Sequence, residues 1–143
     1  YNFMKRGFTL VELLVVIAII ALLSTLSVVA LNSARAKSRD ARRQSDIKQI
    51  RTALELYYDA NNQQYPAGNK ILGATDTACL NQNGWVPTST CASTTIFMQN
   101  VPSDPIPGTY SYTYNVGVSN DTYTIAYTLE NGGDKTATPY SME

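Results

Sequence analysis

The sequence predicts an α+β fold, with one long N-terminal helix packed against a small antiparallel C-terminal sheet. Three observations carry this. No proline or glycine occurs between Phe8 and Asn62. Within that span the apolar residues pass from a continuous run to a spacing of three and four. Near the C-terminus, two runs alternate tyrosine and aliphatic residues with Ser, Thr, Asn and Ala.

The apolar half is read first. Leu13 to Leu31 are nineteen residues without a charge. Counted from Phe8, the segment is about 36 Å long as a helix at roughly 1.5 Å per residue, enough for a bilayer core of about 30 Å. Ser24, Thr25 and Ser27 are its main polar interruptions, and their hydroxyls can bond back to the preceding turn. Glu12, at its start, needs an explanation: a carboxylate at the bilayer centre costs roughly 2.5 to 3.5 kcal/mol, less near an edge. A secretory signal peptide, with Lys5 and Arg6 as its basic region and Val28-Val29-Ala30 as its cleavage site, is an alternative. Such signals have apolar regions of about 7 to 15 residues, shorter than this one.

Gly7, Phe8, Thr9, Leu10 and Glu12 resemble the class III signal of type IV pilins and type II secretion pseudopilins. The resemblance covers residue 4 to about 66 and implies a pilin-like fold. It implies cleavage between Gly7 and Phe8 by a membrane-embedded prepilin peptidase, and N-methylation of Phe8. It also implies that Glu12 meets the terminal amine of a neighbouring subunit's Phe8 during assembly. A charge in apolar surroundings is tolerable when paired, and such a pair fixes axial register. The organisation implied is a leader at 1–7, a transmembrane and assembly helix at 8–31, an amphipathic helix half at 32–64 and a globular head at 65–143. Met4 would start a short leader, with Tyr1, Asn2 and Phe3 upstream of it. The partners implied are other copies of the chain, the peptidase, an inner-membrane assembly platform, and the cytoplasmic membrane, which holds the single-pass precursor before it enters an extracellular filament. A major-type pseudopilin of a secretion system and a DNA-uptake pilin are the alternatives.

Composition argues against an enzyme. The chain has no histidine, so no Ser-His or Cys-His nucleophile pair can be built. The formal charge is zero but polarised: residues 1 to 51 hold nine Lys/Arg against three acids, and residues 52 to 143 hold two against eight. Arg35, Lys37, Arg39, Arg42, Arg43, Lys48 and Arg51 follow the apolar segment. By the positive-inside rule they favour the cytoplasm, whereas the family places this side outside. They suggest pairing with neighbours or lipid headgroups, or with DNA phosphates. Cys79 and Cys91 are expected to form a disulfide worth about 3 kcal/mol in the chain-entropy model, which fits an oxidising compartment.

The amphipathic half shows Ile47, Ile50, Leu54, Tyr57 and Tyr58 on one helical face. Asp59 to Gln64 have poor helical preference, and Pro66 pushes Tyr65 towards extended geometry, so the helix ends there. Residues 67 to 108 read as an irregular segment pinned by the disulfide and anchored by Ile71, Leu72, Leu80 and Trp85. Pro102-Ser103-Asp104-Pro105 is a turn with fixed proline torsions, similar to an element of pseudopilin heads.

The strands come last. Tyr110, Tyr112, Tyr114 and Val116 form one apolar face, and Tyr123, Ile125, Tyr127 and Leu129 another, joined as a hairpin across Gly117 to Thr122. Asn131-Gly132 leads to an edge strand at Thr136 to Tyr140. Major pseudopilins often bind calcium in a C-terminal acidic loop, so the resemblance makes Glu130, Asn131 and Asp134 candidate ligands, although Asn-Gly-Gly is also an ordinary turn. No other cofactor is expected. The ten tyrosines fit strand propensity better than an electron-carrying role, and the sequon Asn120-Asp121-Thr122 is a generic glycan acceptor.

Overall fold

A computed structural model describes residues 7–139. The chain divides into two compact units, one ending at Ala36 and the other beginning at Lys37. Helix α1 (Leu10–Ala60) runs unbroken through both, as the absence of proline and glycine requires.

In the first unit every residue from Gly7 to Arg35 is exposed. By length and composition α1 has an apolar stretch that can cross a membrane, and none of that stretch is buried. The hydroxyls behave as the sequence suggests. Ser24 Oγ donates to the Ile20 carbonyl at 2.7 Å, Thr25 Oγ1 to Leu22 at 2.8 Å and Ser27 Oγ to Leu23 at 2.8 Å. Each of these hydroxyls is thus satisfied within its own helix, which leaves an apolar exterior from Leu13 to Leu31.

The second unit packs the rest of α1 against two small antiparallel sheets. The larger has the order β1 (Lys70–Leu72), β5 (Tyr112–Val116), β6 (Tyr123–Leu129), β7 (Gly133–Ala137). Tyr123, Ile125, Tyr127 and Leu129 are buried at alternate positions along β6, and share one core with Ile47, Ile50, Ala53, Leu54 and Tyr57 of α1. Six of these nine side chains are aliphatic or alanine, and the tyrosines of β5 extend the core to polar atoms at its rim: Tyr112 Oη donates to Asp46, and Tyr114 Oη to the Pro66 carbonyl. Buried hydroxyls need such partners.

The helix stops at Ala60, four residues before the expected end at Gln64. Asn61 donates its side-chain amide to the Tyr57 carbonyl at 2.9 Å, and the Gln63 amide bonds to Tyr58 at 3.1 Å. Asn62 and Gln63 take left-handed torsions, φ 55° and 59°. That reversal closes the helix. It also brings the Tyr65 amide within 2.7 Å of the Asn120 carbonyl and its ring 4.6 Å from those of Tyr58 and Tyr123.

Several expectations are corrected. Residues 67 to 108 are not simply irregular: besides β1 they hold a second sheet, β3 (Gly84–Val86), β2 (Cys79–Asn81), β4 (Ile96–Met98), and a 3-10 turn at Thr88–Ser93. Three-residue strands are too short to show a period. Ile71 is exposed, because in β1 it is Leu72 that faces the core. Leu80 and Trp85 are buried as expected. Tyr110 lies outside β5, and β7 begins at Gly133, three residues before Thr136, because the turn from Leu129 is tight enough to pair it with Gly133. Tyr140 lies outside the described residues. Gly73 has φ +74°, and a Cβ there would stand 2.7 Å from the Pro102 oxygen and Ser103 Cα. The chain leaving β1 therefore lies directly on the Pro-Ser-Asp-Pro turn.

Leu54 has no exposure, while Leu56, two residues on, is 53% exposed. Leu54→Ala is expected to cost about 2–5 kcal/mol by emptying core volume, and Leu56→Ala under about 0.5 kcal/mol. Thermal denaturation followed by circular dichroism distinguishes them, and equal losses would contradict this assignment of faces.

Candidate functional site

The N-terminal site is built by the first turn of α1. Thr9 stands just before the helix and Glu12 at its third position. Thr9 Oγ1 accepts from the Glu12 amide at 3.2 Å, while Glu12 Oε2 accepts from the Thr9 amide at 2.8 Å and from Thr9 Oγ1 at 2.6 Å. This is a reciprocal capping box, with the carboxylate also at the positive end of the helix dipole. Phe8 is 80% exposed, and nothing stands within 4 Å of where a Gly7 Cβ would be. The bond between Gly7 and Phe8 therefore lies outside the helix and is exposed. Lys5 and Arg6 fall outside the described residues.

A second constellation lies where α1 meets the C-terminal turns of the larger unit. Arg43 has no solvent exposure. Its Nε and Nη2 donate to the two oxygens of Asp104 at 2.7 and 2.9 Å, and Nη1 to Asp40 at 2.9 Å and Glu130 at 2.8 Å. Arg39 forks onto the same Glu130 at 2.7 and 2.6 Å. Asp40, one residue along the helix, accepts from the amides of Glu130 and Asn131 and from the Asn131 side chain. Tyr110 lies against the guanidinium of Arg43, 4.9 Å from ring centre to Cζ. Two guanidiniums and three carboxylates thus join α1 to the Pro-Ser-Asp-Pro turn and to the β6–β7 turn.

The electrostatics follow from the contacts. Hydrogen bonds from Arg39, then Arg43, hold the Glu130 carboxyl down at about 2. Burial works against ionisation of Asp40, yet the amides of Glu130 and Asn131 hold it below the usual range. The bond to Asp104, opposed by burial, raises Arg43 further, so it stays charged. Asp46 moves the other way: burial pushes it up in spite of the hydroxyl of Tyr112.

Sequence reasoning grouped Arg39 and Arg43 with a basic stretch that pairs with neighbours, lipid headgroups or DNA phosphates, and did not see this cluster. The signal was present. Arg39, Arg43, Ile47, Ile50 and Leu54 follow spacings of four, four, three and four, so both arginines continue the buried face. Cys79 and Cys91 do form the disulfide, with Cα atoms 5.8 Å apart. Asn81 steadies the loop by donating to the carbonyls of Thr90 and Cys91 while accepting from the Asn83 amide.

Each of the calcium candidates makes hydrogen bonds within the protein. Both oxygens of Glu130 accept from guanidiniums, the Asn131 side chain donates to Asp40, and Asp134 Oδ1 accepts from Thr128 Oγ1 at 2.7 Å. Calcium takes about six to eight oxygens. Among the described residues no group of three acidic or thiol side chains is placed to hold a metal.

A capped N-terminal glutamate on a bare apolar helix, continued into a head of antiparallel strands, defines a pilin-type subunit. Residues 2–28 match the prokaryotic N-terminal methylation motif, and residues 29–139 match protein G of the type II secretion system. The chain belongs to the type II secretion system protein G family. Among relatives, the type II secretion system core protein G of Escherichia coli (strain K12) is 38% identical over 68 residues, 48% of this chain and 46% of the relative. That of Dickeya chrysanthemi is 37% identical over 70 residues, 49% and 45%. That of Pectobacterium carotovorum subsp. carotovorum is 34% identical over 73 residues, 51% and 46%. The chain spans about half the length of the curated relatives it matches. No solved structure is significantly similar.

Acid should loosen the head through Glu130. Its folded value, about 2, lies below its ordinary 4.5. The unfolded chain therefore binds the proton first, and the stabilisation is fully present above about pH 4.5 and lost as pH falls through 2. Asp46, raised by burial, contributes with the opposite sign and softens the loss. In melting curves taken across this range, Glu130→Gln is expected to start lower than wild type at neutral pH and to fall less steeply below pH 4.5. A parallel acid limb would refute the role assigned to Glu130.

Proposed function

We propose that this chain is a structural subunit of a type IV pilus-like surface filament. Prepilin peptidase removes the leader between Gly7 and Phe8 and N-methylates Phe8, and the subunit then leaves the membrane to polymerise through its apolar helix. The observation that supports this most strongly is Glu12, an ionisable side chain capping an otherwise unbroken apolar helix whose surface is bare. Such a surface needs cover, lipid before assembly and other copies afterwards. Cleavage at Gly7 would expose an amine one residue from the Thr9 amide that Glu12 already accepts from. On assembly the carboxylate would exchange its capping bonds for the Phe8 amine of a neighbour. The reading is non-enzymatic, in keeping with a chain that lacks histidine.

The family of the head favours a second reading in the same class, a major-type pseudopilin whose filament serves secretion and stays in the cell envelope. A DNA-uptake role has less support. Of the seven cations between Arg35 and Arg51, Arg39 and Arg43 are engaged inside the head and cannot neutralise phosphates.

Glu12→Ala is expected to leave cleavage intact, with N-methylated Phe8 found at the mature terminus by mass spectrometry, and to abolish filaments in sheared or envelope fractions. Normal filaments from this variant would defeat the assembly role. Loss of exported proteins from a deletion strain that never showed surface filaments would select the secretion reading over the surface one.

A further inference from the structure

The resemblance leads one to look for a divalent cation at the C-terminal acidic turn, and the donor set there does not suit one. The oxygens of Glu130 and Asp40 that would serve as hard ligands all accept protein hydrogen bonds. A positive charge nevertheless sits at the focus of the turn. Arg43 presents Nε, Nη1 and Nη2 to Asp104, Asp40 and Glu130, and those three carboxylates come from three separate parts of the chain.

We propose that Arg43 is the resident cation of this head. Its guanidinium fills the cradle formed by Asp40, Asp104 and Glu130, and does there the cross-linking that a bound calcium would otherwise do, so that the head closes without metal. Three features support this. Arg43 has no exposure and Asp104 only 4%, so the charge acts in a medium of low dielectric, where attraction is strongest and an unpaired partner is costly. The fork onto Asp104 is bidentate, a planar match that an ammonium cannot reproduce. And the cradle is closed by neutral donors as well: the amides of Ile106 on Asp104 and of Glu130 and Asn131 on Asp40 fix each carboxylate where the guanidinium needs it. Arg39, half-buried, covers the remaining side of Glu130 and leaves the cluster with three negative charges against two positive ones. The inference concerns the head alone and holds whether the filament is a surface pilus or a secretion pseudopilus.

The test is thermal unfolding of the full chain in detergent, with millimolar calcium or with EDTA. Wild type is expected to melt at the same temperature in both. Arg43→Met keeps the apolar stem, removes the charge and leaves three carboxylates facing one another. It should lower Tm by on the order of 10 °C or more, and a saturable part of that loss should return with calcium. Arg43→Lys, which keeps a charge without the fork, should fall between and stay insensitive to calcium. The proposal is overturned by a saturable rise in wild-type Tm with calcium, or by an Arg43→Met protein that melts like wild type. It is also overturned if Arg43→Met is destabilised but gains nothing from any added cation, which would make Arg43 a packing element only. Should Arg43→Met not fold, the wild-type and Arg43→Lys arms still decide the question.

Discussion

The larger unit depends on a buried charge that cannot be left alone. Arg43 is fully enclosed, and a guanidinium cannot be deprotonated to escape the cost of burial. Its carboxylates must therefore be delivered to it. Asp40 comes from the same helix, Asp104 from a turn whose prolines hold its backbone, and Glu130 from the end of β6. Because each donor-acceptor pair is directional, the contact specifies the rotation of α1 beneath the sheet as well as its proximity. The aliphatic core alone is less exacting, since apolar packing is non-directional.

A large part of the architecture could be read from the chain. The unbroken helix follows from what is missing between Phe8 and Asn62, and β6 from strict alternation over seven residues. The capping box of Thr9 and Glu12 is a local signal, its partners three apart, that the sequence reading passed over in taking Glu12 only as an assembly contact. What else escaped reading depends on partners far away in sequence. The small sheet of β2, β3 and β4 has strands of three residues, whose pairing is decided by the disulfide loop and Asn81. Ile71 and Leu72 are both apolar, and only the pairing of β1 with β5 determines which of them faces inward.

The charged cluster shows the same limit more sharply. Arg39 and Arg43 sit in a run of seven cations that composition alone assigns to neighbouring subunits, lipid headgroups or DNA phosphates. Helical phase places them on the buried face, but burying an arginine is unfavourable until its carboxylates are known to be at hand. Asp40 is three residues off, but Asp104 and Glu130 lie 61 and 87 residues away from Arg43. Local pattern therefore spoke for and against burial at once, and tertiary pairing decided.

The distance between Asp40 and the β6–β7 turn also bears on how the head is completed. Asp40 waits for the amide of Glu130, 90 residues downstream, and β1 likewise waits for β5. A chain synthesised from its N-terminus has its helix and first strand in hand long before their partners exist. The hairpin of β5, β6 and β7 is local and can form quickly once present, whereas its docking on α1 closes a long loop and is the slow, entropically costly step. The last turn to be made thus acts as a keystone: until it brings Glu130, Arg43 has only part of its cradle and the Arg39 fork has no acceptor, which marks the chain as unfinished.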